Sequence, residues 1–225
     1  MIELENVEFG YGDRALLSGV TLSLLPGAFH FLTGPSGAGK TSLLRLCYLA
    51  LRPTSGRLSV FGEDARRVSR DGVAAVRQRI GVVHQDCQFL DHLSVAENVA
   101  LPLTVSGRDD PARRKDVADL LSWTGLSDRA DALPPELSGG ERQRAALARA
   151  VMGSPEIILA DEPTGNIDWE MSLKLLQLLI EFNRLGKAVL IATHDMNLIR
   201  QAKSQVAARV LRIRGGRVEA GGSDL

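Results

Sequence analysis

The stretch Gly34-Pro35-Ser36-Gly37-Ala38-Gly39-Lys40-Thr41-Ser42 constrains this chain more than any other. It fits the pattern G-x-x-x-x-G-K-[ST], with Gly34 and Gly39 as the fixed glycines, Lys40 as the cation and Thr41 as the hydroxyl. A polyphosphate needs several donors close together, and backbone N–H groups close around it only where no side chain intervenes, which is what glycine permits. Lys40 supplies a point charge for the terminal phosphates, Thr41 an oxygen for a divalent cation, and a helix starting near Gly39 turns its positive end toward the anion. The apolar run Phe29-His30-Phe31-Leu32 before the loop reads as a buried strand, and Ser42-Leu43-Leu44-Arg45-Leu46 after it as a helix. This is the strand–loop–helix setting such a loop requires, so a nucleoside triphosphate is the expected ligand.

At 225 residues the chain holds one sizeable core with room for a subdomain. Lys plus Arg equals Asp plus Glu, 27 each, so no global basic excess points to nucleic acid as a partner. No apolar run is long enough to span a bilayer, and Met1-Ile2-Glu3-Leu4-Glu5-Asn6 lacks the basic and apolar regions of a signal peptide. Cys47 and Cys87 have no CxxC spacing; Cys47, among Leu43, Leu44 and Leu46, is expected as a small buried hydrophobe. The four histidines, at 30, 84, 92 and 194, form no zinc-type cluster.

Residues 2 to 9 alternate apolar and acidic, the period of a half-exposed strand, and Val20-Thr21-Leu22-Ser23-Leu24 and Arg57-Leu58-Ser59-Val60 read as further strands of an antiparallel layer. Tyr11, between two glycines, is either a surface turn aromatic or a ring for a base to stack on. After the strand at Ile80 the pattern becomes helical. Ser94, with Glu97 three residues on, caps a helix that Pro102 is expected to interrupt; Asp110 and Pro111 are expected to open another, with Val117, Leu120, Leu121 and Thr124 on one face and Gly125 closing it. Strands and helices alternate again from Glu156, with a leucine-rich helix capped by Asp168 and an apolar strand from Ala188. The expected fold is α/β, a parallel sheet with helices on both faces. Residues 1–225 form one domain, in which 1–86 and 151–225 are core plus antiparallel layer and 87–150 a helical subdomain.

Ile157-Ile158-Leu159-Ala160-Asp161-Glu162 is an apolar strand delivering two carboxylates at its C-terminal end, where open α/β sheets bind ligands. Asp161 fits a Mg²⁺ shell and Glu162 the polarisation of an attacking water. Leu137-Ser138-Gly139-Gly140-Glu141-Arg142-Gln143-Arg144 places a serine cap and two glycines at the start of a helix, a second anion-competent terminus.

That segment resembles the LSGGQ signature of ATP-binding-cassette (ABC) ATPases. The resemblance extends over the whole chain in order, and it implies roles for residues that spacing leaves open. Tyr11 resembles the adenine-stacking aromatic, Gly34 to Thr41 the Walker A loop and Gln85 the Q-loop residue that contacts Mg²⁺. Asp161 and Glu162 resemble Walker B and the catalytic glutamate, Gly165-Asn166-Ile167-Asp168 the D-loop, and His194 the switch histidine that senses the γ-phosphate. Implied with them are a P-loop fold with a RecA-like core, ATP and Mg²⁺ as cofactors, and a head-to-tail homodimer formed on ATP binding. In that dimer Ser138, Gly139, Gly140 and Glu141 of one copy close the site of the other.

Asn98-Val99-Ala100-Leu101-Pro102-Leu103, Glu162-Pro163-Thr164-Gly165-Asn166 and Ala192-Thr193-His194-Asp195-Met196-Asn197 are similar to the FtsE family of cell-division ATPases. That likeness implies an integral membrane partner, FtsX-like, docking near Asp86 to Leu103 with Val95, Val99 and Leu101 as its apolar contacts, and a place on the cytoplasmic face of the inner membrane. His84 and Cys87 flanking Gln85, Ile167 in the D-loop, and the order Thr41-Ser42 depart from the common pattern without removing a ligand atom. Relatives of LolD or MacB type, which release lipoproteins or drive efflux, carry a similar Pro-Thr-Gly-Asn run. A soluble cassette acting on DNA or ribosomes is disfavoured, because no long coiled coil fits between Gly39 and Ser138.

Overall fold

The computed structural model describes residues 1–12, 14–108 and 113–221. Four strands, β1 (Ile2–Tyr11), β2 (Arg14–Leu24), β4 (Ser55–Val60) and β5 (Glu63–Asp64), make an antiparallel sheet in the order β2-β1-β4-β5. The second sheet runs β10-β9-β3-β8-β7-β6. Within it β3 (Phe29–Thr33), β6 (Ile80–Val83), β7 (Ile157–Asp161), β8 (Ala188–Ala192) and β9 (Ala208–Arg214) are parallel, and β10 (Arg217–Ala220) returns antiparallel along β9. The alternation in β1 slips once: Ile2, Leu4, Val7 and Phe9 are buried, so an extra residue stands between Leu4 and Val7. The register with β2 shifts there, and Asn6 takes φ 48°.

β3, β7 and β8 are buried along their entire length, as strands covered on both faces must be. Leu32, Leu159 and Leu190 face α1 (Lys40–Cys47) and the antiparallel layer; Phe31, Ile158 and Val189 face α6 (Trp169–Arg184) and α7 (Met196–Lys203). Cys47 is fully buried in the first of these cores, and burial pushes its thiol up to about 12. Each buried Ile, Leu or Phe in these layers contributes roughly 1.5–3 kcal/mol of hydrophobic stabilisation.

Between β6 and β7 lie α3 (Val95–Val105), α4 (Arg113–Trp123) and α5 (Gly139–Met152), which enclose a third core. Ser94 and Glu97 close a capping box at the start of α3. The expected break at Pro102 does not occur. The helix runs on to Val105, since a proline here forfeits a single bond to Asn98 while Leu103 remains anchored in the core. Asp110 and Pro111, expected to open α4, lie outside the described residues. A further helix, α2 (Arg70–Gln78), capped by Ser69, is not among those expected from the sequence; it packs Val76, with Val73 half-buried one turn before it, against the first core.

Candidate nucleotide site

The nucleotide-sized cleft, about 730 Å³, opens at the C-terminal ends of β3 and β7. Gly34, Pro35, Ser36, Gly37, Gly39, Lys40, Thr41 and Ser42 line it on one side and Gln85, Asp161, Glu162, Gly165, Asn166 and His194 on the other. The loop after β3 reaches its shape through backbone that only glycine adopts freely. Gly34 has φ 151° and a Cβ there would lie 2.9 Å from the Ile213 carbonyl; Gly39 has φ 104° and a Cβ there would meet the Leu17 side chain at 2.9 Å. Gly39 is also the N-cap of α1 and supplies no side-chain cap, so the first-turn N–H groups remain available to an anion. The Lys40 ammonium donates to the Gly34 carbonyl at 2.9 Å and to that of Pro35 at 3.4 Å, which holds its charge inside the loop.

Asp161 is buried, and burial pushes its carboxyl above the usual range; the neighbouring Glu162 pushes the same way, while the Thr41 hydroxyl that hydrogen-bonds it, Lys40 and Arg45 pull it back. Thr41, Asp161 and Gln85 all line the cleft and offer it hard oxygen donors. This set suits Mg²⁺ shared with a phosphate: that ion is held through one or two carboxylates and keeps other positions for water and substrate. Among the described residues no group of three or more His, Cys, Asp or Glu side chains could hold a metal ion.

Glu162 is fixed at every polar group. Its N–H donates to the Ala192 carbonyl at 2.8 Å, its Oε1 lies 3.0 Å from His194 Nδ1, and its Oε2 accepts from the Thr193 hydroxyl at 3.2 Å. The backbone at Glu162 is left-handed, φ 48°, a conformation that costs a non-glycine residue about 1–3 kcal/mol and that concentrates at functional sites. Glu162 is mostly covered, whereas the His194 side chain is 79 % exposed. The pair therefore presents a carboxylate to the cleft with an imidazole at its mouth.

Other residues singled out from the sequence stand apart from the cleft. Tyr11 is half exposed and does not line it, although its hydroxyl lies 3.3 Å from Ser42 Oγ at the edge of the loop. Asp168 caps α6 by accepting from the Met171 N–H. Ser138 and Glu141 form a capping box on α5, with the Ser138 hydroxyl donating to Glu141 at 2.7 Å and Arg129 pairing with the same carboxylate at 3.0 Å. These bonds, those from Ser138 first, hold Glu141 down to about 2. Gly139 and Gly140 abut Asn166 and Ile167, behind the loop that lines the cleft, so this helix terminus does not enter the cleft of its own chain.

Pattern reading passed over Thr193, which fixes Glu162, and Gln143, which is buried against it. Gln143 had one available signal, a lone amide beside the run Ala145-Ala146-Leu147-Ala148.

Comparison with known proteins supplies the family. Residues 17–165 match the ABC transporter family. The cell division ATP-binding protein FtsE of Escherichia coli (strain K12) is 43% identical over 222 residues, 98% of each chain, and that of Bacillus subtilis (strain 168) is 37% identical over 210 residues, 92% of each. Among solved structures, a dimeric post-hydrolysis state of the ATP-binding cassette MJ0796 bound to ADP and Pi superposes with a TM-score of 0.88 at 34% identity, covering 97% of each chain. With a glycine loop, a paired strand-end carboxylate and a serine-capped second terminus in one arrangement, the chain belongs to the ABC transporter family of ATP-binding cassettes and, within it, to the FtsE cell division ATP-binding proteins.

Proposed function

We propose that this chain is the ATP-hydrolysing subunit of an FtsEX-type complex in cell division, seated peripherally under an FtsX-like membrane partner. The observation that carries the chemistry is Glu162, held by His194 and Thr193 next to Asp161 and the Lys40 loop. Gly34 to Ser42 bind the triphosphate through backbone N–H groups and the Lys40 charge. Thr41, Asp161 and Gln85 would hold Mg²⁺, which would supply charge neutralisation for the phosphates. Glu162 accepts the proton of the attacking water, and His194 keeps that carboxylate oriented and contacts the terminal phosphate. Tyr11 covers the adenine from the edge of the loop.

The site is completed by a second copy. Ser138 to Glu141 form an anion-competent helix start facing away from their own cleft, and the MJ0796 cassette, similar over nearly the whole chain, is dimeric. A head-to-tail pair on ATP, with Asp168 near the junction, gives each terminus a phosphate. Light scattering on a Glu162→Gln variant in saturating MgATP tests this: mass doubling supports it, and a monomer both alone and with the membrane subunit refutes it.

For the membrane partner, the relevant surface is a largely apolar groove of about 480 Å³ between α2, β6 and the end of α3, lined by Ala74, Gln78, Ile80, Leu101, Pro102 and Val105. This revises the expected contacts. Val95 and Val99 are fully buried in the third core, because they fall on the inner face of α3 with Leu103; Leu101 faces the groove. A short helix of the partner fits such a groove. No described helix is long and apolar enough to cross a membrane. Leu101→Glu is expected to abolish co-purification of the membrane subunit with MgATP binding retained; unchanged co-purification refutes the docking site.

A further inference from the structure

Gln143, one per cent exposed on α5, is a primary amide inside an otherwise apolar layer, and such a group must find partners. Its Nε2 donates to the Glu162 carbonyl at 3.5 Å, and its Oε1 accepts from the Cys87 thiol at 3.0 Å. The amide can face only this way, since a carbonyl oxygen accepts and never donates. Both partners are non-glycine residues with left-handed backbone, φ 36° at Cys87 and φ 48° at Glu162. Cys87 follows Gln85 by two residues on the loop that leaves β6, and Ser138 caps the helix that carries Gln143. One side chain therefore joins three segments that meet the nucleotide or its closing surface.

The geometry points to Gln143 as a positioning residue for hydrolysis: its buried amide couples the seating of α5, and of the loop at Cys87, to the setting of the Glu162 peptide. This rests on the reading of Glu162 as the group that activates water. The bond to Glu162 stands at the long limit of hydrogen bonding. A few tenths of an ångström of approach by α5 strengthen it, and the same retreat breaks it. The other attachments of Glu162 come from Ala192, Gly165, Thr193 and His194, so this amide is what ties α5 to the glutamate.

The test is steady-state MgATP hydrolysis by the full chain, with affinity for a fluorescent ATP analogue measured alongside. Gln143→Leu, close in volume but without the amide, is expected to lower kcat about tenfold while KM and analogue affinity stay within about twofold. Cys87→Ala shifts kcat in the same direction, Cys87→Ser restores a donor and recovers activity, and Cys87→Ala adds little in the Gln143→Leu background. Gln143→Met serves as a second apolar variant should the leucine protein fail to fold. Wild-type kcat in Gln143→Leu or Gln143→Met, a rise in KM alone, or additive effects of the two sites overturn the inference. Failure of the underlying reading looks different: in that case Glu162→Gln itself still hydrolyses ATP.

Discussion

Replacing Glu162 with glutamine changes one oxygen to an amide nitrogen and leaves the shape intact. Thr193, 3.2 Å from Oε2, can donate to the remaining oxygen, and the amide N–H can donate to His194 Nδ1, 3.0 Å from the position of Oε1, so the side chain is expected to stay in place. The backbone at φ 48° is no worse for Gln than for Glu. What disappears is the negative charge and the ability to take a proton. Loss of a positioned general base lowers rates by about 10²–10⁴. That corresponds to about 2.7–5.4 kcal/mol of transition-state stabilisation. The Lys40 loop and the Asp161 wall are untouched, so nucleotide affinity is expected within about twofold of wild type. The assay is phosphate release at saturating MgATP with affinity read from a fluorescent analogue. A variant that keeps a kcat within about threefold of wild type refutes the assignment of Glu162, and one that loses affinity in proportion to rate shows that the carboxylate acts through binding.

Lys40→Ala removes a charge-assisted contact to phosphate and is expected to weaken ATP binding by at least about tenfold, measured by titration with a fluorescent analogue. Glu141→Ala opens the capping box of α5 and is expected to cost about 1 kcal/mol, seen as a melting point lower by about 2–4 °C. The carboxyl of Glu141 lies at about 2 when folded against an ordinary 4.5, so its contribution is complete above pH 4.5 and fades as the pH falls toward 2. The melting difference between wild type and Glu141→Ala should shrink over that window. Val99→Ala leaves a cavity in the third core and is expected to cost roughly 1–3 kcal/mol in urea unfolding, while Leu101→Glu at the groove costs under about 0.5 kcal/mol.

Where a few residues stand at fixed spacing in one segment, sequence was enough to place them together. Gly34, Gly39, Lys40 and Thr41 lie on one short loop, and Asp161 with Glu162 ends a strand that is buried on both faces, so each set is adjacent in sequence as well as in space. The bulge at Asn6 could have been read from the slip between Leu4 and Val7. By contrast, α2 carries only a short stripe, Val73 and Val76 one turn apart behind the Ser69 cap, which pattern reading passed over. Proline's propensity at 102 was overridden by packing at Leu103, and which valines of α3 face outward depended on where α4 and α5 sit. The bridge from Cys87 through Gln143 to Glu162 spans residues 87 to 162, a distance over which no periodicity operates.

Both cysteines of the chain are buried, and the Cys47 thiol at about 12 lies well above its ordinary 9.0. At pH 8 the folded Cys47 therefore carries on the order of a thousandth of the thiolate of a free cysteine, even before access is considered. In the native protein Cys47 is in effect blank to maleimides and iodoacetamide, and Cys87, 7 % exposed, offers them little surface. A cysteine introduced on an exposed position, such as Leu185 at 74 % exposure, becomes the reactive handle without deletion of the natural pair. The same two residues then act as a built-in clock, since their slow alkylation measures how often the cores around them open.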